Sequence, residues 1–206
     1  MEKELNNKKK HKKKKEKKKW GIRDFINTAN LIVLLTLVGC VYFFVAIIPH
    51  RVDGHSMAPT LADNDRLFVK KNAIPKRYSL IIFNPLNNSD MTYVKRVVGI
   101  PGDTIWFDNN TLYLNQTIEN KGDRPEVNSY LAGKELPDST LKIWVSEKIA
   151  KELYAFKEIP KNYYFVLGDN RNHSKDSRQL GLIQRNQIEG TVLGRYYPFS
   201  KMGLIE

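Results

Sequence analysis

One long apolar run constrains this chain more than any other feature. The run covers Leu31–Ile48, and residues 25–30 can extend it as helix toward the N-terminus. At about 1.5 Å per residue, a helix of this length is long enough to cross the ~30 Å hydrocarbon layer of a membrane. We therefore predict a transmembrane helix over residues 25–49, followed by one domain of ordinary size in residues 50–206.

A cleavable signal peptide is the alternative interpretation of this run, because signal peptides also combine a basic start, an apolar segment and a small-residue turn. An uncleaved anchor is favoured, since the run is longer than an ordinary signal core and contains Tyr42, Phe43 and Phe44. The residues that follow, Ile48–Arg51, also offer no cleavage site of the small-x-small type.

The net charge is concentrated in front of the apolar run. Of the formal +12, residues 1–24 carry +8, from 12 Lys or Arg and 4 Asp or Glu. A basic tail beside an apolar run is better explained by anionic lipid headgroups than by nucleic acid, which we do not expect as a partner. We predict a disordered lysine-rich tail in the cytoplasm, with residues 50–206 on the outer face of the plasma membrane.

The chain contains a single cysteine, Cys40, which lies inside the apolar run. A disulfide framework and a multi-cysteine metal site are therefore excluded. We predict no metal and no cofactor.

Short β-rich segments punctuated by turns follow the run and predict a mainly β, barrel-like domain, with an α+β domain as the alternative. Residues 116–160 are interpreted as an inserted region or lobe, because they begin with polar and charged residues and a proline. Apolar residues there follow near-helical spacing, but Leu141–Val145 also alternates as a strand, and we predict a helix over Ser146–Phe156. The predicted strands are Arg66–Val69, Leu80–Phe83, Tyr93–Val98, Thr104–Phe107, Thr111–Asn115, Tyr163–Leu167 and Gly190–Tyr197.

A turn of small residues, Val52–Leu61, comes just after the apolar run. Gly54 allows backbone conformations that other residues resist, and Pro59 restricts the exit of the turn. Ser56 carries a hydroxyl that can act as a nucleophile, although so short a pattern is also common in ordinary turns. The turn is a candidate catalytic site only if the rest of the chain supplies a base.

Three residues are candidates for that base. His55 is next to Ser56 in sequence, so the two side chains are poorly placed to face each other, and His173 lies in a polar loop. A Ser-His-Asp triad is allowed, but no sequence feature selects it. Lys95 lies on a predicted strand, where burial would disfavour its ammonium form and make it a base; on an exposed strand face it would be an ordinary lysine.

The loop that follows the predicted strand Tyr163–Leu167 carries polar residues that can support such a lysine. Ser174 can orient the amine through a hydrogen bond, and Asp176 with Arg178 can brace the loop as an ion pair. The alternative is an ordinary polar surface loop.

Together these segments resemble the bacterial type I signal peptidases, in the compact form of Gram-positive bacteria that has one N-terminal span. The motifs follow the family's order and spacing between residues 52 and 181. No single segment is specific, but the combination is highly specific. The matching segments are Ser56–Leu61, Arg66–Val69, Tyr93–Asp103, Gly168–Arg171 and Ser174–Arg178 continuing to Gly181.

The resemblance implies a serine endopeptidase with a Ser-Lys dyad. Ser56 would attack the scissile carbonyl, and neutral Lys95 would be the general base that later protonates the leaving amine. Ser174 would position the Lys95 amine, while Asp176 and Arg178 would hold the surrounding loop. The backbone N–H of Ser56 would contribute to the oxyanion hole.

One position departs from the family pattern. Some members carry a serine two residues before the nucleophile, and its hydroxyl serves the oxyanion hole. This chain has Gly54 there. The second oxyanion donor is therefore open between another backbone group and a water.

The resemblance also implies the partners: preproteins bearing signal peptides that end in small-x-small sequences, and membrane lipid. We expect the protein to be a monomer. Two alternatives stay open, namely a related Ser-Lys peptidase with a narrow client, as in pilus assembly or repressor self-cleavage, and a membrane-anchored binding module without catalysis.

Overall fold

The computed structural model describes residues 22–85, 91–116 and 139–205, and the predicted lysine-rich tail lies almost entirely outside them. The chain divides into two compact units, one ending at Val45 and the other beginning at Ala46. Helix α1 (Ile22–Ala46) forms most of the first unit. Its segment Asn27–Ala46 has a mean hydropathy of 2.3 and is long and apolar enough to cross a membrane.

Helix α1 ends earlier than the apolar pattern predicted. Residues 47–49, which the sequence assigned to the transmembrane helix, instead start strand β1 (Ile47–Arg51). This strand pairs antiparallel with a neighbour that begins at Arg66, and Ile48 lies opposite Val69. Ile48 packs against the apolar cluster that contains Val69, so its side chain is partly buried in the β domain as part of a strand and not of the helix.

The second unit is mainly β, as predicted. A curled antiparallel sheet has the strand order β1-β2-β10-β3-β4-β8-β9, with β11 paired to β10, and a second sheet has the order β5-β6-β7. All seven predicted strands are present, with ends that shift by at most two residues. The remaining bounds are β2 (Arg66–Lys71), β3 (Leu80–Phe83), β4 (Tyr93–Gly99), β5 (Thr104–Asp108), β6 (Thr111–Asn115), β7 (Thr140–Trp144), β8 (Tyr163–Leu167), β9 (Ile183–Gln184), β10 (Ile188–Tyr197) and β11 (Gly203–Leu204).

Both elements suggested for the inserted region are present in its described part. Leu141 lies on β7, which pairs with β6, and helix α2 (Glu147–Leu153) follows, shorter than predicted. The Ser146 hydroxyl caps this helix by accepting from the Ile149 N–H, which explains why it starts there. Their buried side chains join the same apolar cluster as β5, β6 and β8, so residues 140–153 belong to the core. Residues 117–138 lie outside the described residues.

Strand β4 is packed on both of its faces. Tyr93 and Val97 pack with one apolar cluster, whereas Val94 packs with another. The alternation therefore places Lys95 on the same face as Tyr93 and Val97. Since both faces of the sheet are covered at this strand, the part of the Lys95 side chain next to the backbone is buried.

A charged clamp fastens the turn that follows β4. The Asp103 carboxylate accepts hydrogen bonds from both terminal nitrogens of Arg77, each at 2.7 Å, and from the Ile100 N–H at 2.9 Å. Arg77 also donates to the Val98 carbonyl at 3.2 Å, so the clamp reaches the end of β4. Asp103 is buried, and a two-nitrogen pair of this geometry is among the stronger polar contacts in proteins.

Breaking this clamp should destabilise the fold. Asp103→Ala should lower the free energy of unfolding by about 2–4 kcal/mol, because it leaves the largely buried Arg77 without its anion. Urea unfolding of the full chain in detergent, followed by tryptophan fluorescence, measures this change. As a control, Lys151→Ala breaks an exposed ion pair with Glu147 and should not move the transition. Equal midpoints for the two variants would contradict the clamp.

Candidate active site

The turn that carries Ser56 is fixed at several points. Gly54 has a φ of +88°, a conformation that favours glycine, and its N–H donates to the Asp63 carboxylate at 2.8 Å. On the inner side of the turn, Val52, Met57 and Leu61 are buried and join one apolar cluster. These anchors hold the intervening Ser56 hydroxyl at the protein surface.

The end of the turn is tied to β10 by a second buried ion pair. Asp65 is 2% exposed and accepts from Arg195 Nη1 at 2.6 Å. The same nitrogen donates to the Thr60 carbonyl at 3.3 Å. Neither Asp65 nor Arg195 was recognised from sequence, because nothing local indicates that residues 130 positions apart are paired.

The structure brings Ser56 and Lys95 together. Lys95 Nζ lies 2.7 Å from Ser56 Oγ and donates a further hydrogen bond to the Val94 carbonyl at 2.9 Å. Only 3% of Lys95 is exposed, and its nitrogen lies 5.2 Å from the centre of the Tyr93 ring. The hydroxyl and the amine are thus in contact although 39 positions separate the two residues, with Lys95 buried and Ser56 half-buried.

This surrounding changes the protonation of Lys95. Burial lowers the pKa of Lys95 from its ordinary 10.5 to about 8, and the charges of Asp176 and Asp169 oppose that change by raising it. A substantial fraction of the amine is therefore neutral at mildly alkaline pH. A neutral lysine amine in contact with a serine hydroxyl can accept its proton.

Asp169 connects the elements around the pair. Its carboxylate accepts from Arg96 Nε at 2.9 Å and Nη2 at 2.8 Å, and from the Thr60 hydroxyl at 2.6 Å. Burial would raise the pKa of Asp169, but the hydrogen bonds from Arg96 and Thr60 lower it below its usual value. Arg96 follows Lys95 on β4 and Thr60 follows Ser56 in the turn, so one carboxylate links both halves of the site. The sequence offered a signal for Asp169, since it lies in one of the matching segments, but its partners were not predicted.

Asp176 and Arg178 form the ion pair that the sequence suggested. Arg178 Nε and Nη2 donate to the two oxygens of the Asp176 carboxylate at 2.8 and 2.9 Å, and the Gly168 N–H donates to Asp176 at 2.9 Å. Burial would raise the pKa of Asp176, but these hydrogen bonds lower it overall. Arg178 also donates to the Arg171 carbonyl at 2.6 Å, which ties both ends of the loop together.

Ser174 lies beside the site, but the structure does not show it bonded to Lys95. Its hydroxyl is shielded from solvent and close to Asp176, yet it makes no hydrogen bond of good geometry with any described residue. A Cβ at Gly168 would fall 2.1 Å from this hydroxyl and 2.6 Å from the Ser56 carbonyl. Ser174 and the nucleophile turn thus approach each other closely around Gly168, where no side chain has room.

A cleft of about 300 Å³ opens beside Ser56 and Lys95. The histidines His55 and His173 line it, although no hydrogen bond joins either side chain to Ser56 within the described residues. His50, which was not among the candidate bases considered from the sequence, lines the cleft too. Burial lowers the pKa of His50, and the Asp53 charge partly opposes this. The complete lining is His50–Met57, Thr92–Lys95, His173 and Lys175.

Replacing Asp169 should shift the titration of Lys95. Asp169→Asn removes a negative charge that stabilises the ammonium form and leaves Arg96 uncompensated, so the pKa of Lys95 should fall below about 8. The ¹³Cε chemical shift of labelled Lys95, followed against pH in detergent micelles, measures this directly. Asp108→Asn, at the end of β5 in the second sheet, is the matched control and should leave the pKa of Lys95 unchanged. If the pKa of Lys95 rises or stays unchanged in Asp169→Asn, the Asp169 charge does not stabilise the ammonium form as stated.

Comparison with known proteins gives a consistent result. The profile of the family described as "Signal peptidase, peptidase S26" matches residues 22–197. Signal peptidase IB of Staphylococcus aureus is 38% identical over 192 residues, covering 85% of this chain and 89% of that protein. Signal peptidase I of Bacillus caldolyticus is 37% identical over 155 residues, covering 73% and 79%. A crystal structure of a signal peptidase I from Enterococcus faecalis matches with 28% identity and a TM-score of 0.34, covering 58% of this chain and 97% of that one.

The family match covers most of the chain, including Ser56 and Lys95, and confirms the resemblance that the motifs indicated. With the apolar segment Asn27–Ala46, it also indicates a membrane-anchored protein. The chain belongs to the signal peptidase family, peptidase S26.

Proposed function

We propose that this protein is a membrane-anchored serine endopeptidase that removes signal peptides from exported preproteins, with Ser56 as nucleophile and Lys95 as general base. The observation that carries the assignment is the 2.7 Å contact between Lys95 Nζ and Ser56 Oγ, made by a lysine that is 3% exposed. A solvated lysine would stay protonated at neutral pH and could not take the hydroxyl proton. Burial removes that obstacle.

The reaction follows from this geometry. Neutral Lys95 takes the proton of the Ser56 hydroxyl as its oxygen attacks the scissile carbonyl, and a tetrahedral intermediate forms. The Lys95 ammonium then protonates the leaving amine, which releases the mature chain and leaves the signal peptide as an ester on Ser56. Lys95, neutral again, takes a proton from an incoming water that hydrolyses the ester and restores the serine.

The negative oxygen of the intermediate needs hydrogen-bond donors, each worth roughly 3–4 kcal/mol of transition-state stabilisation. The Ser56 N–H is the first donor. Gly54 has no hydroxyl to offer, and its own N–H donates to Asp63. The second donor is therefore a different backbone group or a water.

The supporting residues act on the base and its loop. The Asp176–Arg178 pair holds the loop that carries Ser174 next to the Ser56 turn. Lys95 donates to Ser56 and Val94, so its ammonium form has one proton left, and the role we assign to the buried Ser174 hydroxyl is to accept that proton in a hydrogen bond during catalysis. This contact orients the amine along the path of proton transfer.

The cleft suits an extended peptide with small side chains. Its lining includes the apolar side chains of Val52, Met57 and Val94, which suit small apolar side chains of a substrate beside the nucleophile. A peptide laid along residues 50–54 can pair with the backbone there, as extended ligands do at strand edges. Relatives named signal peptidases support preproteins as the substrates, with cleavage after small-x-small sequences.

The topology follows from charge. The lysine-rich N-terminal tail stays in the cytoplasm near anionic lipid, and residues 50–206 lie on the outer face of the plasma membrane. Ser56 then lies eight residues from Ile48, within about 26 Å even if that chain were fully extended. A monomer working at this distance meets its substrates where their signal peptides are still in the bilayer.

Removing either member of the dyad should abolish cleavage. Ser56→Ala and Lys95→Met should each lower kcat/KM on a signal-peptide-bearing preprotein by at least 10³-fold, without loss of fold, because nucleophile and base act as one unit. Cleavage in lipid vesicles, with the cut position read by mass spectrometry, measures this. Lys148→Met on the exposed face of α2 is the matched lysine control and should cut at the wild-type rate and position.

Near-normal turnover by Lys95→Met would reject Lys95 as the base and make His173 the first alternative. Failure of the wild-type protein to cut would instead favour a binding module without catalysis.

The activity should depend on pH through Lys95. Since only the neutral amine can accept the proton, kcat/KM should be low at acidic pH, rise with a midpoint near pH 8 and level off above it. Rates measured from pH 5.5 to 10 on one peptide substrate provide the test. A flat profile, or one that falls through pH 8, would contradict the assignment.

A further inference from the structure

Asn170 holds two successive carbonyls of the nucleophile turn. Its side-chain Nδ2 donates to the His55 carbonyl at 3.1 Å, and its backbone N–H donates to the Ser56 carbonyl at 3.0 Å. Asn170 follows β8 in the polar loop, 114 residues away from Ser56. It contacts neither the Ser56 hydroxyl nor the Lys95 amine, so the dyad itself does not explain this double contact.

Two donors determine where the Ser56 N–H points, because the Ala58 N–H also donates to the His55 carbonyl, at 3.1 Å. The peptide bond between His55 and Ser56 is trans, since the cis bonds among the described residues are those before Pro59 and Pro198. In a planar trans peptide the C=O and the N–H point in opposite directions. When the His55 carbonyl points at Asn170, the Ser56 N–H must therefore point away from Asn170.

The Ser56 N–H belongs to a segment that lines the cleft. His55, Ser56 and Met57 line the cleft, whereas Asn170 is absent from the described residues that line it. No residue in the described part of the chain accepts a hydrogen bond from the Ser56 N–H. This donor therefore has no acceptor within the described residues and is available to an incoming oxygen.

We propose that Asn170 is a positioning residue for the oxyanion site: its side-chain amide, together with the Ala58 N–H, fixes the His55–Ser56 peptide plane so that the Ser56 N–H faces the carbonyl under attack. The proposal rests on the proposed function. The orientation of the Ser56 N–H matters more in this chain than in family members with a serine at the position of Gly54. Gly54 offers no side-chain donor, and its own N–H donates to Asp63.

The role predicts a specific kinetic effect. Asn170→Ala and Asn170→Asp both remove the side-chain donor to the His55 carbonyl and leave the Ala58 N–H in place, and the second keeps the size of the side chain. Each should lower kcat on a signal-peptide substrate roughly tenfold to a hundredfold, less than deletion of a donor outright, because the N–H is misdirected rather than lost. KM should change by less than twofold, since the ground-state carbonyl depends little on this donor.

Two further readouts distinguish positioning from support of the fold. A peptide boronate forms a tetrahedral adduct with the serine, and its affinity should fall by the same factor as kcat. The product peptide forms no tetrahedral adduct and should bind with wild-type affinity. The midpoint of the pH profile should stay near 8 in Asn170→Ala, because Lys95 keeps its neighbours. Asn170→Asp introduces a charge, so its rates are compared on the plateau of its own profile.

Asn172→Ala is the matched control, because Asn172 is an exposed asparagine of the same loop. All variants are measured as full-length protein in lipid, with thermal unfolding recorded alongside. The proposal is overturned if kcat of either Asn170 variant lies within twofold of Asn172→Ala. It is equally overturned if kcat falls while boronate and product peptide weaken together, or if kcat falls only in step with thermal stability.

The proposed function and this inference fail in different ways. If the wild-type protein does not cut the substrate, or if Ser56→Ala still cuts it, the proposed function is wrong. If the wild-type protein cuts, Ser56→Ala does not and both Asn170 variants have normal kcat, the dyad stands and only the role of Asn170 is lost.

Discussion

The contact between a buried lysine amine and a serine hydroxyl is the interaction on which the rest of this structure depends. Lys95 lies on β4, a strand covered on both faces, and extends to within 2.7 Å of Ser56 Oγ. Burying an ammonium group is costly unless it is paired or loses its proton. The fold meets this cost by leaving the lysine close to deprotonation, which is also the state that a general base requires.

The pKa of Lys95 results from two opposing effects, burial and the charges of the surrounding ion pairs. Burial lowers the pKa, while Asp176 and Asp169 raise it. Without these two anions the amine would lose its proton at a lower pH. Each anion is itself bonded to an arginine, Arg96 or Arg178, which limits its effect on the lysine. The same pairs connect β4, the Ser56 turn and the loop after β8, so the electrostatics and the geometry of the site depend on the same residues.

Much of this could be predicted from sequence, and the exceptions share a physical cause. The strands, Ser56, Lys95 and the Asp176–Arg178 pair were predicted because local alternation, turn residues and short motifs report them. Residues 47–49 were assigned to the apolar helix because hydropathy does not distinguish lipid from a protein core, whereas their pairing with β2 makes this segment a strand. The contacts of Asp169, Asn170 and Asp65 join distant parts of the chain, and no local pattern reports them.

The central claim is that Ser56, activated by Lys95, forms the covalent intermediate, and the most direct measurement is the identity of the acylated residue. A signal-peptide ester substrate mixed rapidly with the enzyme in lipid, quenched in acid and mapped by mass spectrometry locates the acyl group. We expect the acyl group on Ser56 in the wild-type protein and no acyl group above background in Lys95→Met. An acyl group on any other residue, or full acylation of Ser56 in Lys95→Met, would contradict it.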